Sequence, residues 1–389
     1  AERTEEGQTN MGLTQSSSYE IKDAGDKDVT KNYSISKVTD GYVKINADGL
    51  NETDFEVSGL SNHVYDGENH KDVPVVTKKG SKDALEEGTD YTVSYDTENF
   101  VDVKTITVTI TGKGNYSGVV TKTYQITERP IEVTGKQEEF TYDGTLHKVE
   151  GVTATNLVEG HKISSKDAVA ERTEEGQTNM GLTQSSSYEI KDAGDKDVTK
   201  NYSISKVTDG YVKINADGLN ETDFEVSGLS NHVYDGENHK DVPVVTKKGS
   251  KDALEEGTDY TVSYDTENFV DVKTITVTIT GKGNYSGVVT KTYQITERPI
   301  EVTGKQEEFT YDGTLHKVEG VTATNLVEGH KISSKDAVAE RTEEGQTNMG
   351  LTQSSSYEIK DAGDKDVTKN YSISKVTDGY VKINADGLN

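Results

Sequence analysis

The sequence predicts an all-β protein, an elongated tandem array of small sandwich-like domains with two alternating types in each repeat. Three observations predict it. Several short segments alternate apolar with polar residues, which is the period of a half-buried strand. No segment keeps a helical period for three turns. The first 51 residues recur at Ala170 and again at Ala339.

The recurrence is an exact tandem repeat. Everything between the first two copies recurs as well, and their starting positions make the repeat 169 residues long. Arrays of identical units are modular and quasi-linear, so length scales with copy number. An enzyme gains little from a second copy of its pocket, whereas a stalk gains reach and a multivalent binder gains avidity.

Composition and charge exclude several classes of protein. Hydrophobic residues are 31% of the chain, which is too few for one large core. Tyr, with 21 residues, is the main aromatic residue, and Trp is absent. The net charge of −27 makes nucleic acid and anionic membranes poor partners, because phosphate binding needs clustered Lys and Arg. The chain has no Cys, which excludes disulfides and thiol chemistry.

Each repeat contains two related halves, which we call type A and type B. Four matches in the same order connect them: Phe55–Gly59 with Ile131–Gly135, Tyr65–Lys71 with Tyr142–Lys148, Leu85–Gly88 with Leu157–Gly160, and Asn115–Ser117 with Asn201–Ser203. We predict type A domains at 52–128 and 221–297, and type B domains at 129–216 and 298–385. Residues 1–47 match only the second half of type B. Either the fragment boundary ignores the domains, or another chain supplies the missing strands.

The strands of type A are the clearest. Thr105–Thr111 alternates without a fault, Tyr91–Tyr95 has the same period, and Val120–Ile126 follows it except that Lys122 falls on the apolar side. Gly112–Asn115 is predicted to be a tight turn. A single helical turn is expected near Lys82–Glu87.

Type B has shorter strands. Their apolar pairs are Tyr188 with Ile190, Tyr202 with Ile204, and Val212 with Ile214. The junction from A to B is Arg129-Pro130, where the proline favours extended backbone. Because the joints are short, neighbouring domains should stay close and bend little.

The type B segment resembles a known family. Its ordered motifs are Tyr142–Gly144, Leu157–His161, Gly176–Gly181, Tyr188–Ile190, Asp197–Ile204 and Gly210–Ile214. Together they resemble the MBG-type repeat domain of bacterial cell-surface proteins. Type A is similar to the Ig-like domains found beside such repeats. The resemblance implies an all-β stalk on a wall-anchored or secreted Gram-positive protein, often an adhesin, and it implies no catalytic residues.

One acidic turn is a candidate calcium site. Asp192, Asp195 and Asp197 lie within six residues and could coordinate Ca²⁺ through oxygen. The spacing is not that of an EF-hand, and Lys196 lies among the ligands. Asp and Gly are also the residues that a hairpin turn requires. We therefore expect a turn, and no cofactor.

Two other features, histidines beside two turns and one inward-facing lysine, are candidate sites. His63 and His70 flank a Tyr-Asp-Gly turn and His147 follows another, but one His per turn is too few for a metal, so Tyr should pack inwards while Asp-Gly turns the chain. Lys122 invites an autocatalytic cross-link. The simpler interpretation is a lysine whose stem covers a strand edge. No catalytic motif is present, and we expect no enzyme.

The leading functional hypothesis is a stalk that projects a distal binding domain from the wall of a cell. The alternative is an adhesive array whose repeats bind a mucin-like glycan or a host protein weakly, with avidity from repetition. We expect an extracellular, monomeric rod without membrane insertion, whose host partners bind through domains outside this fragment. Its signal and anchor are expected outside it too.

Overall fold

The computed structural model describes residues 1–387 and is all-β. Within those residues there is no α-helix, and the helical elements are 3-10 turns at Thr30–Asn32, Thr199–Asn201 and Thr368–Asn370. The predicted fold class, a tandem series of small β-sheets of two alternating types, is confirmed. The described residues contain no helix with the length and apolarity that a bilayer crossing needs.

The chain forms two compact units. Unit 1 comprises Ala1–Glu138, Lys148–Glu171 and Thr178–Val212, and unit 2 comprises Glu139–His147, Arg172–Gln177 and the residues from Lys213 onwards. The predicted domain boundaries remain predictions, and we keep "type A" and "type B" as names for those sequence segments.

The strands follow the repeat. Before and within the first type A segment they are β1 Gly7–Asn10, β2 Tyr42–Ile45, β3 Asp48–Gly49, β4 Phe55–Ser58, β5 His63–Val64, β6 Val75–Lys78, β7 Tyr91–Tyr95, β8 Lys104–Gly112, β9 Tyr116–Ser117 and β10 Val119–Thr127. The first type B segment contains β11 Arg129–Gly135, β12 Gln137–Thr141, β13 His147–Glu150, β14 Val152–Ala154, β15 Lys162–Ser165, β16 Val169–Arg172, β17 Gly176–Asn179, β18 Tyr188–Lys191, β19 Tyr202–Thr208 and β20 Tyr211–Asn215.

The second copies have closely similar bounds. The type A strands are β21 Asp217–Gly218, β22 Phe224–Ser227, β23 His232–Val233, β24 Val244–Lys247, β25 Tyr260–Tyr264, β26 Lys273–Gly281, β27 Tyr285–Ser286 and β28 Val288–Thr296. The type B strands are β29 Arg298–Gly304, β30 Gln306–Thr310, β31 His316–Glu319, β32 Val321–Thr324, β33 Lys331–Ser334, β34 Val338–Arg341, β35 Gly345–Asn348, β36 Tyr357–Lys360, β37 Tyr371–Thr377 and β38 Tyr380–Asn384.

Type A is built around the longest strands. In unit 1 the sheet order is β5-β10-β8-β7, and β4 pairs with β6 antiparallel. Across the β8–β10 ladder, Ile106 faces Tyr124 and Ile110 faces Val120. Ile106, Val108 and Ile110 are fully buried, as the alternation predicts. Each such side chain contributes about 1.5–3 kcal/mol on burial.

Type B divides its strands among small sheets. In unit 1, β11 lies between β14 (antiparallel) and β19 (parallel), with a register shift between Ile131 and Glu132. In unit 2 the second copy adds the order β30-β38-β35 and the pairs β31–β34 and β33–β36.

The expected helical turn at Lys82–Glu87 is wrong. Ala84 forms a bridge to Thr77, and Glu87 forms one to Tyr91. The Leu85 N–H donates to the Val76 carbonyl at 2.8 Å. Pairing with a neighbouring strand satisfies these backbone groups, and it outweighs the local preference of an acidic, alanine-containing run for helix.

Candidate functional site: the joints between type A and type B

In unit 1 the joint between type A and type B is a single residue. Strand β10 ends at Thr127 and β11 begins at Arg129, so only Glu128 separates them. Pro130 fixes φ and keeps the backbone extended where β11 begins. The short linker leaves the two segments little freedom to separate.

Apolar packing continues across this joint. Ile126 of type A and Ile131 of type B are both 1% exposed and belong to one buried cluster. The rings of Tyr65 (type A) and Tyr202 (type B) meet edge to face with their centroids 5.4 Å apart. Such pairs add about 0.5–1.5 kcal/mol beyond the area they bury. The predicted inward packing of Tyr65 is confirmed.

A buried polar network joins the segments beside this core. Asn201 lies at the end of the 3-10 turn and is fully buried. Its Nδ2 donates to Asp102 Oδ1 at 2.8 Å, and its Oδ1 accepts the Val103 N–H at 2.9 Å. Asn99 Nδ2 donates to the second Asp102 oxygen at 2.8 Å. One asparagine of type B thus satisfies two polar groups of type A.

The Asp102 carboxylate is held in its ionised form. Burial disfavours the charge, but hydrogen bonds from Asn201 and Asn99 and the ammonium groups of Lys200 and Lys196 outweigh it and lower its pKa to about 2. The Lys200 Nζ lies 3.4 Å from Asp102 Oδ2. A buried carboxylate with this many donors stabilises the joint only while every partner is in place.

An arginine clamps the other side of the joint. Arg129 Nη1 donates to the Tyr65 carbonyl at 3.3 Å, while its Nε donates to the Asn156 carbonyl at 2.6 Å. The Asn156 amide donates to the Pro130 carbonyl at 2.8 Å, and its backbone has a positive φ of 61°. The guanidinium therefore bonds both segments at the junction.

Unit 2 repeats this joint. Asn370 Nδ2 donates to Asp271 Oδ1 at 2.8 Å, and Asn370 Oδ1 accepts the Val272 N–H at 2.9 Å. Burial opposes the charge on Asp271, but the same kinds of hydrogen bonds and the Lys369 ammonium lower its pKa to about 2. Tyr234 and Tyr371 are again 5.4 Å apart.

The joint from type B to type A uses a second asparagine. In unit 2, Asn284 Oδ1 accepts the Glu175 N–H at 2.7 Å, and Asn284 Nδ2 donates to the Glu174 carboxylate. Tyr142 and Tyr285 pack edge to face at 5.6 Å. Burial, together with Tyr142 and nearby carboxylates, raises the pKa of Tyr285 to about 12.

Asn115 makes the same contacts in unit 1. Its Oδ1 accepts the Glu6 N–H at 2.7 Å, and its Nδ2 donates to the Glu5 carboxylate. Asn115 and Asn201 each begin an Asn-Tyr-Ser tripeptide, and these two tripeptides are one of the matches between types A and B in the sequence. At both kinds of joint, an asparagine of one segment accepts an N–H from its neighbour and donates to a carboxylate of that neighbour.

Comparison with known proteins gives no family. No family model matches the chain, and no curated protein matches it. Among solved structures it is similar to the Drosophila N-cadherin EC1-4 crystal structure, at 11% identity over 84% of this chain and 99% of that chain, with a TM-score of 0.18. It is also similar to protocadherin gamma B2 extracellular cadherin domains 3-6, at 12% identity over 71% and 81%, with a TM-score of 0.20.

A third similar structure is the N-terminal eight Ig domains of Down Syndrome Cell Adhesion Molecule, at 8% identity over 85% of this chain and 55% of that chain, with a TM-score of 0.17. Scores this low support no argument about function. The joints described above therefore carry the functional interpretation.

The candidate calcium residues build a turn. Asp192 Oδ1 accepts the N–H groups of Gly194 (2.8 Å) and Lys196 (3.0 Å), and Asp197 Oδ1 accepts the Thr199 N–H at 2.9 Å. Asp195 has a positive φ of 64°. Within residues 1–387, no three His, Asp or Glu side chains are grouped so as to hold a metal ion. The carboxylates instead position the 3-10 turn that presents Asn201.

The three candidate histidines each pair with an aspartate. His63 Nε2 lies 3.0 Å from Asp72 Oδ1, and His70 Nε2 lies 2.8 Å from Asp66 Oδ1, while the two rings stack at 4.1 Å. His147 Nε2 is 3.1 Å from Asp143 Oδ1. The structure brings His63 and His70 into contact. Their positions in the sequence, on either side of one turn, did not predict this contact.

The predicted Asp-Gly turn is confirmed beside the joint. Gly67 has a positive φ of 83°, and a Cβ there would lie 3.4 Å from Val158 Cγ1 of type B.

Lys122 faces inward, as the alternation predicts. Its Nζ lies 2.7 Å from Glu52 Oε1, and the Glu52 side chain is 64% exposed. The nearest acidic partner of Lys122 is thus a solvated carboxylate. An autocatalytic cross-link needs a buried acid, so this arrangement suits an ion pair. The same pair recurs in unit 2 between Lys291 and Glu221 at 2.8 Å.

Proposed function

We propose that this chain is a structural stalk, the spacer part of a bacterial cell-surface adhesin, which projects a distal binding domain from the wall of a Gram-positive cell. The observation that carries the proposal is the joint from A to B. A linker of one residue, a continuous core and a buried asparagine–aspartate bond resist bending there. Each repeat brings this joint again, so added copies would add further stiff joints of this kind.

The acidic surface agrees with this role. The net charge of −27 keeps such an array soluble and disfavours contact between copies. We propose that it acts outside the cell and has no catalytic activity. Its output is reach and stiffness rather than chemistry.

The test uses small-angle X-ray scattering. The 389-residue chain is compared with chains lengthened by one and by two further 169-residue repeats. A stalk predicts that the maximum dimension rises in equal steps, whereas a flexible chain would grow with roughly the square root of length. Growth of the second kind would refute the stalk.

A matched series tests the joint itself. The same lengthened chains carry Asn→Ala at every position equivalent to Asn201, and their steps should become smaller and less regular. The rival hypothesis, an adhesive array, predicts instead that the unmodified chain binds mucin-like glycans on an array, with avidity that rises with repeat number.

A further inference from the structure

Strand β10 has a free edge. On one side it pairs with β8 along its whole length, but on the other β5 pairs only with Ile126 and Thr127. The Gln125 N–H is bonded by the Asn62 side chain at 2.9 Å. The part of the edge before Gln125 has no strand beside it within the described residues.

The free edge offers three residues for pairing. The Thr127 carbonyl accepts the Tyr65 N–H, and the Gln125 N–H bonds to Asn62, so the odd-numbered residues point away from β8. Alternation gives the same direction to Val119, Thr121 and Thr123. Each therefore presents one N–H and one C=O to solvent.

This edge is matched in register to itself. If two copies met antiparallel about residue 121, Val119 of each would lie opposite Thr123 of the other and the two Thr121 residues would lie opposite each other, and all three pairs would be hydrogen-bonded ones. Six new ladder hydrogen bonds would form. A symmetric contact of this kind needs only one surface patch.

Lys122 stands next to the centre of that pairing. Its side chain lies on the inner face of the sheet, between the buried Val120 and Tyr124 and opposite the fully buried Val108. Self-pairing would place Lys122 of each copy opposite Val120 of the other in a non-hydrogen-bonded pair, with Cα atoms about 4.5 Å apart. The Lys122–Glu52 ion pair would then have to leave solvent beside an apolar side chain, which is costly.

The interior beside the edge is open. A cavity of about 410 Å³ lies against it, and its lining includes Glu52, Phe55, Lys79, Val120 and Lys122. Glu52 binds the Lys122 amine there. Lys79 Nζ donates to the Glu52 carbonyl at 2.7 Å. The charges thus stand where the apolar side chains of an added strand would enter.

We propose that the free edge of β10 is a latent pairing surface for the same edge of a second copy of this chain, and that the inward-facing Lys122 keeps it closed. Inward-pointing charges are one of the devices by which β proteins prevent edge-to-edge association. The same arrangement occurs on β28, with Lys291, Thr290 and Thr292, so each chain carries two such edges. This inference does not depend on the stalk proposal, because it concerns association and not stiffness.

The test replaces both lysines in the full chain, Lys122→Val with Lys291→Val. Sedimentation velocity from about 1 µM to about 1 mM measures association. We expect the dimer dissociation constant to fall at least about a hundredfold, because the original pairing must take the ion pair of each lysine with its glutamate out of solvent. The matched control, Lys206→Val with Lys375→Val, changes the net charge equally at side chains that are 64% and 65% exposed, and it should leave the chain monomeric.

A third variant separates strand pairing from nonspecific stickiness. Thr121→Pro with Thr290→Pro, added to the valine variant, removes the outward N–H without touching the ladder to β8, and it should restore the monomer. Circular dichroism checks that every variant is folded. A valine variant that stays monomeric up to the highest concentration overturns the proposal. Association that the prolines do not reverse also overturns it.

Discussion

Replacing the joint asparagines should destabilise both units. In Asn201→Ala with Asn370→Ala, the Val103 and Val272 N–H groups lose their acceptors, and the carboxylates of Asp102 and Asp271 each lose one donor. A buried donor left without a partner costs about 1–3 kcal/mol, and a hydrogen bond to a charged group is worth about 1.5–3 kcal/mol. The remaining donors to each aspartate moderate the loss. We expect about 3 kcal/mol per unit.

The assay is urea unfolding followed by circular dichroism and tyrosine fluorescence. With a slope of about 2 kcal/mol per molar urea, the midpoint should fall by about 1.5 M. The control is Asn69→Ala with Asn238→Ala. Both of those residues are exposed, and each only accepts a hydrogen bond from the backbone two residues on, so their loss should cost no more than about 0.5 kcal/mol. If the joint variant unfolds at the same urea concentration as this control, the joint does not stabilise the units and the reasoning is wrong.

Three further predictions concern the same regions. The pKa values of Asp102 and Asp271 fall from 3.8 to about 2 on folding, so each aspartate contributes about 2 kcal/mol to the free energy of unfolding. This contribution is present above pH 4 and is lost as the pH falls towards 2. In the variant Asp102→Asn with Asp271→Asn, the free energy of unfolding should therefore depend less on pH in that window. Gly67→Ala with Gly236→Ala forces a side chain into positive φ and should cost about 1 kcal/mol per site in thermal melts, whereas Gly49→Ala with Gly218→Ala, which meet no neighbour, should not. Tyr285, with its pKa raised to about 12, should stay protonated above pH 10 in ultraviolet titration of the folded chain; stability from this group is complete below pH 10 and lost as the pH rises towards 12, and a Tyr285 that titrates near pH 10 in the folded chain would contradict this.

The strands of type A could be predicted because their pattern is local. Tyr91–Tyr95 has the same bounds as β7, and Thr105–Thr111 lies within β8. An alternating run needs only one buried face to become a strand, and every residue that defines it is within a few positions. The apolar pairs Tyr188/Ile190 and Val212/Ile214 were found in the same way.

The polar network of the joint could not be predicted, because its partners are far apart in the chain. Asp102 and Asn201 are 99 residues apart and belong to different segments. The one signal for it was the Asn-Tyr-Ser match between types A and B, which identified Asn115 and Asn201 without giving their role. The role of a residue in a polar network depends on the partners that the fold brings beside it, and these partners are not neighbours in the sequence.

Identical sequence also adopts different structure here. Tyr202–Thr208 is strand β19, paired with β11, whereas the same letters at 33–39 form no strand. Tyr202 is 7% exposed and Tyr33 is 62% exposed. The partner strand is the difference, and no property of the seven residues alone could reveal it.

The single residue between β10 and β11 has a mechanical consequence. A pull along the chain would pass from β10 directly into β11, through Glu128. The hydrogen bonds of β10 with β8 and of β11 with β19 run across these strands, so a load along the strands would shear many of them at once rather than open them one by one. Tension would therefore meet its resistance in the long ladders, and the joint would transmit force without itself being the first point to yield.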